Sequence, residues 1–69
     1  MDIQWQDGFQ ISVRVENQTA TVSANREGLL SLAAQFVALA KELPGSHIHF
    51  DEYNSLEENS AELIVERME

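Results

Sequence analysis

His47, His49 and Asp51 are the residues of this chain whose types and spacing could do chemistry. They alternate with Ile48 and Phe50 in the run Pro44-Gly45-Ser46-His47-Ile48-His49-Phe50-Asp51-Glu52-Tyr53. A strand sends successive side chains to opposite faces, so the three polar groups would line one face while Ile48 and Phe50 enter a core. Two residues along a strand span about 6.6 Å, which lets both imidazoles reach one zinc ion, with Asp51 as a third ligand and Glu62 or Glu66 on a neighbouring strand. His-x-His is a short and frequent pattern, however, and no cysteine adds a ligand. Two exposed histidines that hydrogen-bond laterally explain it equally simply. We expect no metal and no cofactor.

Hydrolytic arrangements fare no better. Ser46 stands beside His47, but neighbours on a strand point in opposite directions and cannot form a nucleophile–base contact. Glu57 and Glu58 fall in a loop with no scaffold to set a carboxylate separation. Gly8, Gly28 and Gly45 are isolated, so no glycine-rich phosphate loop exists. A chain of 69 residues also has little room to enclose a substrate pocket of several hundred Å³. The expectation is a protein that is not an enzyme.

The elements that must position these residues follow from turn signals and periodicity. Asp7-Gly8 separates two β-type runs, 3–6 and 9–16. A three-residue loop, Gln6-Asp7-Gly8 with Gly8 left-handed, pairs Trp5 with Phe9 and Ile3 with Ile11 and keeps the large apolar groups on one side. A second turn at Asn17-Gln18 sets Val15 opposite Ala20 and Val13 opposite Val22. Residues 1–24 thus read as a three-stranded meander. Asn25 suits an N-cap, with Glu27 in the first helical turn. From Arg26 the helical stripe is Leu29, Leu32, Ala33, Phe36, Leu39, Ala40 and Leu43, widened by Leu30 and Val37, until Pro44 and Gly45 stop it. After the histidine strand, residues 51–60 read as a loop anchored by Tyr53 and Leu56. Residues 61–68 read as a last strand with Leu63 and Val65 inward and Glu62, Ile64 and Glu66 outward. The predicted fold is α+β with order βββαββ: a three-stranded meander, one helix and two further strands. It forms a single sheet with the helix packed on one face, and one small domain over residues 1–69.

Charge is uneven along this chain. Residues 1–50 hold five acids and three bases, net −2, whereas residues 51–69 hold seven acids and one base, Arg67, net −6, for a total of −8. Nucleic acid is disfavoured as a partner because phosphates need a basic surface. No apolar run approaches the ~20 residues that span a bilayer, and the first residues lack a signal-peptide pattern. Without cysteines, the chain is expected to be cytoplasmic. An acidic pole at Asp51, Glu52, Glu57 and Glu58, with Tyr53 and the His47/His49 face at its margin, is the expected partner-binding surface. Tyr53 has a second reading, as a plug at one end of the core.

One resemblance sharpens this. The segment from Gly28-Leu29-Leu30-Ser31-Leu32-Ala33 through Pro44-Gly45-Ser46-His47-Ile48-His49-Phe50-Asp51, then Leu56-Glu57 and Ser60-Ala61-Glu62-Leu63-Ile64-Val65-Glu66-Arg67, resembles the immunity protein 32 family of bacterial polymorphic toxin systems. The resemblance implies a small cytoplasmic protein that neutralises a cognate toxin by direct binding; the acidic pole, for its part, points to a basic toxin domain as the protein partner. Two other readings remain open. One is a metal- or ligand-binding protein or enzyme that uses His47, His49 and Asp51. The other is a self-associating module that forms a homodimer through an exposed edge strand.

Overall fold

A computed structural model describes residues 5–69, with elements β1 (Ile11–Glu16), β2 (Thr19–Ala24), α1 (Arg26–Ala40), β3 (His47–Phe50) and β4 (Leu63–Glu66). The β1–β2 hairpin turns through Asn17 and Gln18, both left-handed at φ 48° and 68°. Two consecutive left-handed residues match the twist of the flanking strands. Val13 pairs with Val22 and Val15 with Ala20, the register that the alternation predicts. Only the base of this hairpin reaches the core, however. Ile11 and Val13 are buried, whereas Val15 and Val22 are exposed, so Val22 is not the core residue that its pattern suggests.

The expected single sheet is not what forms. β1–β2 and β3–β4 are two separate two-stranded antiparallel sheets, and the three-stranded meander is absent among the described residues. Positions 3 and 4 of the expected first strand, including the Ile3–Ile11 pairing, lie outside them, and Trp5, Gln6, Phe9 and Gln10 belong to no strand. The turn itself is as expected. Gly8 has φ 79° and Phe9 N–H donates to the Gln6 carbonyl at 3.2 Å. The Trp5 and Phe9 rings stack at 4.7 Å, and Trp5 meets Phe50 edge-on at 6.3 Å.

Side chains of the helix hold this segment in place of a ladder. Asn25 Oδ1 accepts from Gly28 N at 2.8 Å, the expected N-cap, and also from Gln10 N at 3.0 Å. Its Nδ2 donates to Gly8 O at 2.9 Å. The fully buried Ser31 hydroxyl accepts from Gln6 N and donates to Glu27 O, both at 2.8 Å.

The two sheets stay separate because of residues 57–61. This segment runs along the second edge of β1, where Glu57 N and Ala61 N donate to Ile11 O and Val13 O, each at 2.8 Å. Between those bonds it folds a turn, with Ser60 N donating to Glu57 O at 3.2 Å and Asn59 at φ 68°. Val13 N then donates to the Ser60 hydroxyl, 3.2 Å away, instead of a carbonyl. Five residues against three of β1 cannot build a regular ladder. The chain becomes a strand only at Leu63, where it pairs with β3.

The helix departs from expectation in length and rotation. It ends at Ala40, not Leu43: Lys41 N and Glu42 N bond three residues back, to Ala38 and Leu39, a tightened last turn ahead of Pro44. Its buried residues are Gly28, Ser31, Leu32, Gln35 and Leu39. Leu29, Leu30, Phe36 and Val37 are exposed, Phe36 at 44 %. The expected stripe is therefore turned partly outward. Gly28 explains the rotation, because a Cβ there would lie 2.5 Å from Gln10 O and 2.9 Å from Ile11 Cγ1. The helix presses its glycine against the backbone at the start of β1, and everything 100° per residue around it follows.

The core is Ile11, Val13, Leu32, Leu39, Ile48, Phe50 and Leu56, with Trp5, Phe9, Ala24, Ala61, Leu63 and Val65 packed around it.

Candidate functional site

The β3 strand alternates as expected, with His47 and His49 exposed and Ile48 and Phe50 buried. β4 pairs with it antiparallel, placing Glu66 opposite His47 and Ile64 opposite His49. The two imidazoles meet edge-on with centroids 4.9 Å apart. His49 Nδ1 lies 3.3 Å from Glu62 Oε2, and His47 Nδ1 lies 3.3 Å from the Gly45 carbonyl. A carbonyl only accepts, so that His47 nitrogen carries the proton. Lateral hydrogen bonding thus engages one nitrogen of each ring.

Asp51 does not join them. The strand ends at Phe50, and Asp51 Oδ1 accepts from Tyr53 N at 2.9 Å and Asn54 N at 3.2 Å. Its carbonyl accepts from Ser55 N at 3.1 Å and Leu56 N at 2.9 Å. Asp and Asn side chains commonly cap turns in this way. Among the described residues no group of three His, Cys, Asp or Glu side chains converges on a metal-sized site. The three-ligand face expected of His47, His49 and Asp51 is corrected to a two-histidine face plus a turn-capping aspartate.

What that turn does is build a pedestal. Asn54 Oδ1 accepts from Asp51 N at 3.1 Å and Asn54 Nδ2 donates to His49 O at 2.8 Å, which locks the turn to the end of β3. Ser55 and Leu56 are buried beneath it. Tyr53 stands on top with 96 % of its surface exposed. It is no plug of the core. Glu52 Oε2 accepts from Asn59 N at 2.9 Å and ties this turn to the following one, while Glu57 and Glu58 are exposed beside it. Asp51, Glu52, Tyr53, Glu57 and Glu58 are therefore gathered on two adjoining, hydrogen-bonded turns. His47 and His49 sit on the strand that leads into them. Arg14 and Thr21 face one another across β1–β2 and so belong to the other sheet.

Two shallow concavities lie elsewhere. One of about 560 Å³ is bordered by Pro44, Gly45, Glu66, Arg67, Met68 and Glu69. A smaller one of about 200 Å³ runs between Phe36, Leu39, Ala40, Val65 and Arg67. Of the residues singled out for chemistry, Glu66 borders the first, and His47, His49 and Asp51 border neither. The feature that sequence reasoning missed is the outer helix face. Its signal was legible: no charged residue occurs between Glu27 and Lys41, and a helix apolar all round needs cover on two sides.

No helix among the described residues is long and apolar enough to cross a membrane. No curated protein and no solved structure matches the chain. A family model described as Immunity protein 32 matches residues 19–68, from the start of β2 to beyond β4.

Proposed function

The chain belongs to the immunity protein 32 family, and from that premise we propose that it neutralises a bacterial toxin by binding it, with no chemistry of its own. The contact surface is the pair of turns bearing Asp51, Glu52, Tyr53, Glu57 and Glu58, flanked by His47 and His49. The observation that carries this assignment is Tyr53, a large aromatic with 96 % of its surface in water on a turn held by Asp51 and Asn54. An aromatic on a rigid turn adds contact area at little conformational cost, which is why tyrosine is enriched among residues that dominate binding energy. The carboxylates around it point to a basic toxin domain, drawn in by complementary potential. Net charge of −6 on residues 51–69 supports the same choice. The setting is the cytoplasm of the toxin-producing cell, where an inhibitor must meet its toxin before export.

The test is binding kinetics against a toxin domain, sought first among the products of the genes adjacent to the one for this chain. Tyr53→Ala is expected to weaken binding by about 2 kcal/mol, roughly 30-fold, mainly through faster dissociation. Glu52→Gln, Glu57→Gln and Glu58→Gln together are expected to slow association several-fold at low salt and flatten its salt dependence, since rim charges act on the on-rate. Gln at position 52 keeps an acceptor for Asn59 N, so the turn survives the change. Wild-type binding by both variants would place the interface elsewhere.

A further inference from the structure

His47 and His49 each commit one ring nitrogen to a fixed partner and keep the other. His47 Nδ1 lies 3.3 Å from the Gly45 carbonyl, and His49 Nδ1 lies 3.3 Å from Glu62 Oε2. A carbonyl and a carboxylate only accept, so both Nδ1 atoms carry the proton. In the neutral rings Nε2 is then the lone-pair nitrogen of each. Metal-ligating histidines are held in the same way. One N–H is donated to a carbonyl or carboxylate, which fixes the tautomer and raises the basicity of the other nitrogen. The His-x-His pattern alone sets lateral hydrogen bonding against ligation, but each uses a different nitrogen and the two are compatible here.

We propose that His47 and His49 chelate one divalent transition-metal ion, of the zinc or copper(II) kind, through their Nε2 atoms. The spacing suits it. An ion about 2.0–2.1 Å from each nitrogen stands about 3.2 Å from each ring centre, and a near-tetrahedral angle then sets those centres about 5 Å apart. The observed separation is 4.9 Å. Both rings are exposed on β3, and the broad χ2 well of histidine lets small rotations bring the two nitrogens onto one ion. The surroundings favour a cation. The outward residues of β3 and β4 are His47, His49, Ile64 and Glu66, with no lysine or arginine among them. Glu66 stands opposite His47 in register and Glu62 adjoins His49, so negative charge flanks both ligands. Among the described residues no third side chain joins the pair, and water takes the remaining positions. Imidazole selects zinc and copper over magnesium and calcium, which prefer oxygen. A site with half the ligands of a structural zinc centre binds reversibly, with a dissociation constant of about 1–100 µM for zinc. This site is independent of the toxin-binding role, and its test needs no toxin.

Isothermal titration of the chelator-treated full chain with zinc chloride is the experiment. One ion per chain is expected, with copper(II) binding more tightly, as the usual order of metal affinities dictates. Millimolar magnesium is expected to leave the zinc affinity unchanged. His47→Ala and His49→Ala are each expected to weaken zinc binding at least about tenfold, the loss that removing even an outer partner causes. Glu62→Ala takes away only the partner of His49 Nδ1 and is expected to weaken zinc about tenfold, with the urea midpoint unchanged because the pair is exposed. Electron paramagnetic resonance of the copper(II) form reads the ligands directly: two imidazole nitrogens in the natural chain and one in either histidine variant. No zinc binding at about 1 mM would overturn the proposal. So would zinc binding that survives in the double variant His47→Ala, His49→Ala, or that magnesium displaces, since either would trace it to the acidic surface alone.

Discussion

Gly28→Ala sets two effects of opposite sign against one another. In an ordinary helix interior, alanine is better than glycine by about 1 kcal/mol because it restricts the unfolded chain and shields the backbone. Here the added methyl would stand 2.5 Å from Gln10 O, 2.9 Å from Ile11 Cγ1 and 3.1 Å from the Ala24 methyl. Two of those neighbours cannot swing aside: one is backbone, and Ile11 is fully buried. The helix must lift from β1 by several tenths of an ångström, which loosens Leu32 and Leu39 and strains the bonds Asn25 makes to Gln10 and Gly28. Overpacking of this kind costs about 1–3 kcal/mol. With the propensity gain subtracted, the variant is expected to be less stable by about 1 kcal/mol, a substantial fraction of the roughly 5 kcal/mol available to a domain this small. Urea unfolding followed by Trp5 fluorescence and by circular dichroism measures it. With a slope of about 1 kcal/mol per molar urea, the midpoint falls by about 1 M. A control, Ala34→Gly on the outer face, lowers stability by about the propensity difference alone. If Gly28→Ala raises the midpoint instead, the helix does not rest on β1 as closely as these distances state.

Two further outcomes follow from the same packing. Asn25→Ala removes the cap together with the tie to Gln10 and Gly8 and is expected to cost about 2 kcal/mol, whereas Asn25→Asp keeps the accepting oxygen and costs about half of that; equal losses in urea unfolding would mean that the accepting oxygen contributes nothing and the Nδ2 bond to Gly8 carries the whole effect. Leu32→Ala is expected to cost about 2–5 kcal/mol and Phe36→Ala only about 1, measured by urea unfolding; the reverse order would return Phe36 to the core and refute the helix rotation.

The features that could be read from sequence are those that short-range physics decides. Asn17 and Gln18 adopt the left-handed turn, and the Val13–Val22 register follows from it, since loop length and side-chain alternation leave one register. Asn25 caps the helix, and Ile48 and Phe50 alternate inward against His47 and His49. The family resemblance was legible as well, in the histidine strand and the Glu62–Arg67 run. Tertiary structure decided the rest. A helix with leucines on every side carries no period that says which side is inner. Its rotation was set by where a residue without a Cβ could meet β1, and that is a fact about the surface beneath it. Asp51 continued the alternation on paper, but its carboxylate found two backbone N–H groups just downstream, and that local bond ended the strand. Whether Tyr53 plugged the core or stood in water depended on Leu56, the next apolar anchor, which filled the space first. The sheet divided in two because a turn at residues 57–60 interrupted pairing along β1, and nothing in the alternation of either strand records what the neighbouring chain will do.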